Sequence, residues 1–318
     1  MSELSFIQKN IDKWSRIELM AQDLDQETPD DIADAYTDVT SDLAFAYTHH
    51  PKARITLYLN NLAAVLHNAI YRNKREKRSR IITFWTREVP QTMWEERRML
   101  LASFLIFLFS VAVGIISQMA DHDFCRIILG DGYVEQTLQN IHDGKPMAVY
   151  DGEAQGSMFL SITINNISVA FRIFIMGLAT SVLTAVMLFY NSIMLGCFET
   201  FFAQQGLLGE SMLAVFLHGT LEISAIIIAG AAGLAIGNSW IFPGTYSRFY
   251  AFRQGAKRGL KIVVGTVPVF IVAGFIEGYV TRHTNIPDAV RLSFILLSLA
   301  FVIGYFVILP YHMNRQKK

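Results

Sequence analysis

Two cysteines in 318 residues are too few for a disulfide framework, and neither has the spacing of a metal ligand. Cys125 falls in a polar stretch and Cys197 in an apolar run, so they are expected at different depths and not bonded to each other. Charge is scarce as well: charged residues make up 17% of the chain, and the formal net charge is zero. Signatures of catalysis are missing. There is no HExxH helix, no GxSxG nucleophile and no second histidine in the apolar runs beside His218. The first residues are polar and helical, without a basic segment leading into a short apolar core, so no cleavable signal peptide is expected. The chain is therefore expected to be neither an enzyme nor a carrier of a cofactor or metal.

What is present in excess is hydrophobicity: 52% of residues are apolar and the mean hydropathy is +0.34. The apolar residues gather in runs at 100–120, 167–189, 192–202, 212–241, 262–280 and 289–309. The third run is short for a crossing and contains Glu199, so it is tilted, continuous with Asn191, or re-entrant. The fold class implied is all-α, a polytopic helical membrane protein with about six transmembrane helices and a small N-terminal helical domain. Charges are segregated along the chain. About nine Lys and Arg stand against four acids over 72–98, and about seven acids against two bases over 121–153. Basic residues mark cytoplasmic ends, so the N-terminal region is expected inside the cell and the loop 121–158 outside. The basic stretch Arg248, Arg253, Lys257, Arg258, Lys261 and the tail Arg315, Lys317, Lys318 are expected inside too. Both termini would then be cytoplasmic in a multi-pass protein of the cytoplasmic (inner) membrane. The domains expected are 1–98, a cytoplasmic helical domain with an interfacial elbow, and 99–318, the transmembrane domain, whose loop 241–261 reads as a cytoplasmic amphipathic helix.

In the N-terminal region three amphipathic stripes are readable: Ile7, Ile11, Trp14, Ile17 and Ala21; Ile32, Tyr36, Val39, Leu43 and Tyr47; Ile55, Leu59, Leu62, Leu66 and Ile70. Thr28-Pro29-Asp30-Asp31 is a helix start, and Pro51 opens the third helix. The run 72–80 is basic but accompanied by no nucleic-acid-binding fold, so it is expected to face solvent or lipid headgroups, and nucleic acid is not an expected partner. Phe84, Trp85 and Pro90 mark an elbow with aromatic rings at headgroup level. In the acidic loop Val134, Leu138 and Ile141 form a further apolar stripe.

Function points to the polar residues inside the apolar runs, because an ionisable group at mid-membrane costs on the order of 2.5–3.5 kcal/mol. His218 and Glu222, four residues apart, share a helix face. With 1.5 Å rise per residue, Arg172 lies about 9 Å below the outer end of its helix, His218 about 9–10 Å and Glu222 about 15 Å, while Glu277 is about one turn from an outer end. Arg172, His218, Glu222 and Glu277 are expected to form one cluster, with Arg172 nearest Glu277. Three uses are open: a structural device fixing helix register, a proton, ion or solute site, or a metal or catalytic site that would need His122 and His142 of the loop to complete it. Gly230, Gly233 and Gly237 allow close helix packing within one chain or between two, and Gly177, Gly196 and Gly304 read the same way. A homo-oligomer is expected.

Asn165-Asn166, Gly177, Asn191 and Gly196, followed by His218-Gly219-Thr220-Leu221-Glu222-Ile223, Ala229-Gly230-Ala231-Ala232-Gly233-Leu234 and Phe275-Ile276-Glu277-Gly278, resemble the stage II sporulation protein M family. Trp14, Asp42-Leu43-Ala44, Pro51, Tyr58-Leu59-Asn60, His67 and Tyr71 extend the resemblance over nearly the whole chain. In endospore formers the namesake recruits a pair of peptidoglycan hydrolases during engulfment. Similar proteins occur in bacteria that never sporulate, often beside genes for a MoxR-type ATPase and a protein with an RDD membrane domain. The resemblance marks Asn166, His218, Glu222 and Glu277 as motif positions but implies no catalytic role for them. Its implication is a scaffold in the lipid bilayer that positions envelope-remodelling partners; the alternative is a transporter or channel subunit that uses the intramembrane cluster.

Overall fold

The computed structural model describes residues 2–22, 27, 29–71, 79–144, 146, 155–281 and 286–315. Among them there is no strand. Thr28, most of the basic run 72–80, much of the later part of the loop 121–158 and the tail residues Lys317 and Lys318 lie outside the described residues. The chain divides into two compact units, Met1–Arg80 and Ile81–Lys318, so the elbow expected in the first domain belongs to the second.

The first unit is built from α1 (Glu3–Gln22), α2 (Pro29–His49) and α3 (Arg54–Tyr71). Trp14, Val39, Ala46, Leu59 and Leu66 are fully buried between them. The stripes read from the sequence are rotated at their ends: Phe6 and Ala46 are inside, whereas Ile11, Tyr47 and Ile70 are exposed. Two successive steps of four residues carry Tyr47 about 80° around its helix from Val39, and Ile70 the same from Leu62, off the packed face. Trp14 Nε1 donates to Asp42 Oδ2 at 2.8 Å, and Lys13 pairs with the same carboxylate at 2.5 Å. Pro51 sits in a turn ahead of α3, closed by Ala53 N–H to His50 O at 3.0 Å, so it precedes the helix without opening it.

α4 (Ser79–Thr83) spans the boundary, and the second unit goes on with a π-helical turn Phe84–Glu88 and α5 (Val89–Glu95). Six helices long and apolar enough to cross a membrane follow: Arg97–Ala120, Phe159–Ala179, Ser181–Gln204, Leu208–Ile241, Arg248–Thr281 and Asp288–Arg315. They correspond to α6 (Arg97–Ala120), α9 (Gln155–Ala179), α10 (Ser181–Gln204), α11 (Leu208–Ile241), α12 (Arg248–Phe275) with a π-helical extension Ile276–Thr281, and α13 (Asp288–Ile303) continued through a π turn into α14 (Leu309–Arg315). Between the first two crossings lie α7 (Phe124–Leu129) and α8 (Asp131–His142). The chain is thus an all-α, polytopic membrane protein.

Two boundaries correct the sequence reading. The run 167–189 is not one crossing, and 192–202 is neither short nor re-entrant: the chain turns back at Thr180, and two full helices flank it. Thr180 is extended (φ −169°, ψ 150°) and its hydroxyl accepts from Val182 N–H at 2.9 Å, capping α10. A one-residue turn inside a continuous apolar run leaves no polar loop to read. The stretch 241–261 is likewise not a separate surface helix, since α12 runs unbroken from Arg248 into the bundle. Its bases reach the elbow, with Arg258 Nε–Glu96 Oε1 at 2.5 Å and Lys261 Nζ–Glu88 Oε2 at 2.7 Å. The elbow is itself packed on the bundle: Val89 and Met93 are in the core, and Tyr305 Oη donates to Trp85 O at 2.5 Å.

The axis of this unit is α11, on which every residue from Ala225 to Gly237 is buried. A methyl group on Gly233 would meet Thr184 and Ile173 O, and one on Gly177 would meet Gly233 O. The small residues of α11 are therefore used for packing within one chain. Gly304 has open space beside it and packs on nothing.

Candidate functional site

Three of the four residues expected to cluster do so. His218 and Glu222 stand one turn apart on α11, and Glu277 approaches from the π-helical extension of α12. The wider π turn changes the facing of the residues it carries, which is how such turns come to mark special sites. His218 Nε2 is 3.7 Å from Glu277 Oε2. One ligand atom from each of His218, Glu222 and Glu277 lies within 4.8 Å of the others. His218 is buried, Glu277 somewhat less so, and Glu222 is partly exposed.

Two neighbours orient these side chains. Asn166 Nδ2 donates to Glu222 Oε1 at 2.6 Å from α9. His218 Nδ1 is 3.3 Å from Thr281 Oγ1, whose own proton goes to Ile276 O at 3.3 Å. Thr281 escaped the sequence reading because it lies at the very end of its helix, where a threonine is unremarkable.

Arg172 is not part of the cluster. It is exposed, with no ion pair among the described residues, and borders a separate recess of about 250 Å³ beside Met187, Tyr190 and Asn191. The expected pairing with Glu277 is corrected by azimuth. Arg172 follows Asn166 by six residues, which places it about 120° around α9 from the face that meets Glu222. Depth along an axis does not fix the direction in which a side chain points.

The cluster opens into a cavity of about 680 Å³. Asn165, Asn166, Asn191 and Gly219, all quoted for the resemblance, border it beside His218, Glu222 and Glu277. Gly230 and Gly233 do not: they serve helix packing. At one end the cavity is bordered by Ile128, Leu129 and Tyr133 of the α7–α8 pair. Along α11 its lining reaches Ile226 and no further, where the closely packed stretch begins. Burial raises the Tyr133 phenol above its ordinary range. Carboxylates, an imidazole and three amides around such a space can hold a cation or hydrogen-bond a small polar ligand.

The α7–α8 pair is held to the bundle by a second apolar cluster, formed by Cys125, Val134, Cys197, Phe201 and Phe202 with Leu138 and Ile141 packed against it. This overturns the expectation that the cysteines lie at different depths. They are free thiols in direct interaction, and the Cys197 hydrogen bond draws the Cys125 thiol below its usual range against the effect of burial. Nearby, Gln118 Nε2 donates to Gln204 Oε1 at 3.0 Å, and Gln204 Nε2 lies 3.4 Å from His122 Nδ1. Glu199 accepts from Ser211 Oγ at 2.9 Å. His122 and His142 do not join the intramembrane cluster among the described residues.

A family model described as Stage II sporulation protein M matches residues 103–282, more than half of the chain, and includes every residue of the cluster. A second, described as a domain of unknown function (DUF8413), matches residues 4–72, which is the first unit almost entire. No curated protein and no solved structure matches the chain.

Proposed function

Because the chain belongs to the stage II sporulation protein M family, we propose that it is a scaffold of the cytoplasmic membrane, with both termini inside the cell, that positions cell-envelope-remodelling partners. It acts without catalysis of its own, and the α7–α8 pair on the outer side offers the docking surface. One observation carries this reading over the transporter alternative: the polar cavity is bordered by α7 and α8 at one end, yet along α11 its lining stops at Ile226, at the start of the fully buried stretch Ala225–Gly237. A recess closed at one end suits a site whose occupant sets the posture of an exposed helix pair. It does not suit a path for solute.

Two measurements test this together. A photo-crosslinking residue in place of Glu135, which is exposed on α8, is expected to capture a peptidoglycan-remodelling protein in living cells. Proteoliposomes holding the purified chain are expected to show no flux above background. A pH-dependent flux that Glu222→Gln abolishes in a normally inserted protein would replace the scaffold with a transporter.

A further inference from the structure

We infer that His218, Glu222 and Glu277 bind a divalent transition-metal ion, Zn²⁺ being the cation used here as the probe. The inference is independent of the scaffold reading, since it concerns what the cluster holds and not what the protein recruits.

The donor set is one imidazole nitrogen and two carboxylate oxygens, brought from two helices to within 4.8 Å of one another. Bonds of about 2.0–2.2 Å to a shared Zn²⁺ require only a modest closing of such a triangle. Three protein ligands leave a coordination position open, and the adjoining cavity of about 680 Å³ supplies the room for water or a ligand oxygen there.

A second observation comes from the hydrogen bonds around the cluster. With the Thr281 hydroxyl proton donated to Ile276 O, its Oγ1 accepts from His218 Nδ1–H, the tautomer that leaves Nε2 as the ligand atom. Nε2 then presents a lone pair to Glu277 Oε2 at 3.7 Å. A nitrogen lone pair and a carboxylate oxygen at this separation can share a proton or a metal ion. Fixing the far nitrogen of a ligating histidine, and bonding a ligating carboxylate as Asn166 does Glu222, is the outer-shell support that metal sites use.

Charge gives the same answer. Among the described residues no Lys or Arg pairs with Glu222 or Glu277, and Arg172 faces elsewhere. Glu222 and Glu277 hydrogen-bond one another through a shared carboxyl proton, which a dication bound by both would displace while neutralising the pair. Nitrogen and carboxylate ligands in this ratio suit Zn²⁺, Fe²⁺ or Mn²⁺.

The full-length protein in lipid nanodiscs, stripped with chelator and titrated with Zn²⁺, is expected to retain one ion per chain after desalting, with X-ray absorption showing one imidazole in a nitrogen–oxygen shell. His218→Ala and the double variant Glu222→Gln, Glu277→Gln are expected to lose that ion, while His122→Ala and His142→Ala keep it. Should the ligand variants fail to fold, Asn166→Ala decides: it leaves the ligands in place and is expected to weaken binding by about 10–100-fold. Absence of stoichiometric Zn²⁺, Fe²⁺ and Mn²⁺ from the wild type, or unchanged binding in folded His218→Ala or Asn166→Ala, overturns the assignment. Because the measurement uses no partner protein, its failure leaves the scaffold reading standing, and loss of partner capture leaves the metal site standing.

Discussion

At the scale of single residues, two glycines of the same helix, α11, have opposite uses. A methyl group at Gly219 would meet only Ile223 Cδ1 and Val215 Cγ1 at ordinary contact distances of 3.5 and 3.6 Å, and beyond them lies the cavity. At Gly233 it would run into the Ile173 carbonyl and Thr184. Gly233→Ala is therefore expected to destabilise by about 1–3 kcal/mol through overpacking, whereas Gly219→Leu leaves thermal stability in detergent unchanged while filling the cavity. An equal loss in both would mean that the space beside Gly219 is not open. In the first unit, Tyr58 Oη donates to Glu18 Oε2 at 2.8 Å, and burial, then that bond, push the phenol from 10.0 to about 12. A raised acid favours the protonated form in the folded state. Its contribution is complete below pH 10.0 and is lost as pH rises through about 12. The difference in phenolate absorbance between wild type and Tyr58→Phe is expected to have its midpoint at about 12; a midpoint at the ordinary 10.0 would mean that Tyr58 is neither buried nor bonded to Glu18 as described.

Elements hold further information that residue types alone do not. The α7–α8 pair docks on α10 through Cys125, Val134, Cys197, Phe201 and Phe202. Mild oxidation of the native protein, with the oxidant taking two electrons as the two thiols lose their protons, is expected to join Cys125 to Cys197 within one chain. Non-reducing peptide mapping reads the link, and Cys125→Ser removes it. If only intermolecular products form, α7 does not rest on α10 as described. The stripe Val134, Leu138 and Ile141 was legible in the sequence because a 3.6-residue period survives in a polar loop. Its partner surface was not, because Cys197, Phe201 and Phe202 stand in a stretch of α10 where apolar residues occur on every side of the helix. The same uniformity hid the turn at Thr180, where a single extended residue and one side-chain cap reverse the chain.

For the whole molecule, six crossings place the α7–α8 pair on the membrane side opposite both the α11–α12 turn and the end of α14. In the orientation we propose from the basic residues, the latter two face the cytoplasm. In a background with Cys125 and Cys197 replaced, a cysteine at the exposed Asp131 is expected to react with an impermeant maleimide in intact cells, and cysteines at the exposed Arg253 and Arg315 only after permeabilisation. Labelling at Arg253 without permeabilisation would reverse the orientation, and with it the placing of the docking surface outside the cell.

Amphipathic period, apolar run length and the skewed placing of Lys and Arg are properties of the chain itself, and they determined the all-α class, the six-helix membrane unit, the helical N-terminal region and the expected inward-facing ends. Residue chemistry also singled out His218, Glu222 and Glu277, because ionisable groups are conspicuous where nearly everything else is hydrocarbon. Tertiary structure decided how these groups face. Rise along a helix gave Arg172 a depth compatible with pairing, but rotation about α9 turned it away while turning Asn166 toward Glu222. A π turn, visible in no local pattern, brought Glu277 and Thr281 onto His218. The two cysteines met because α7 folds back onto α10. One-dimensional signals report composition and distance along an axis; the direction in which a side chain points, and the partner it meets there, exist only once neighbouring helices have fixed each other's rotation.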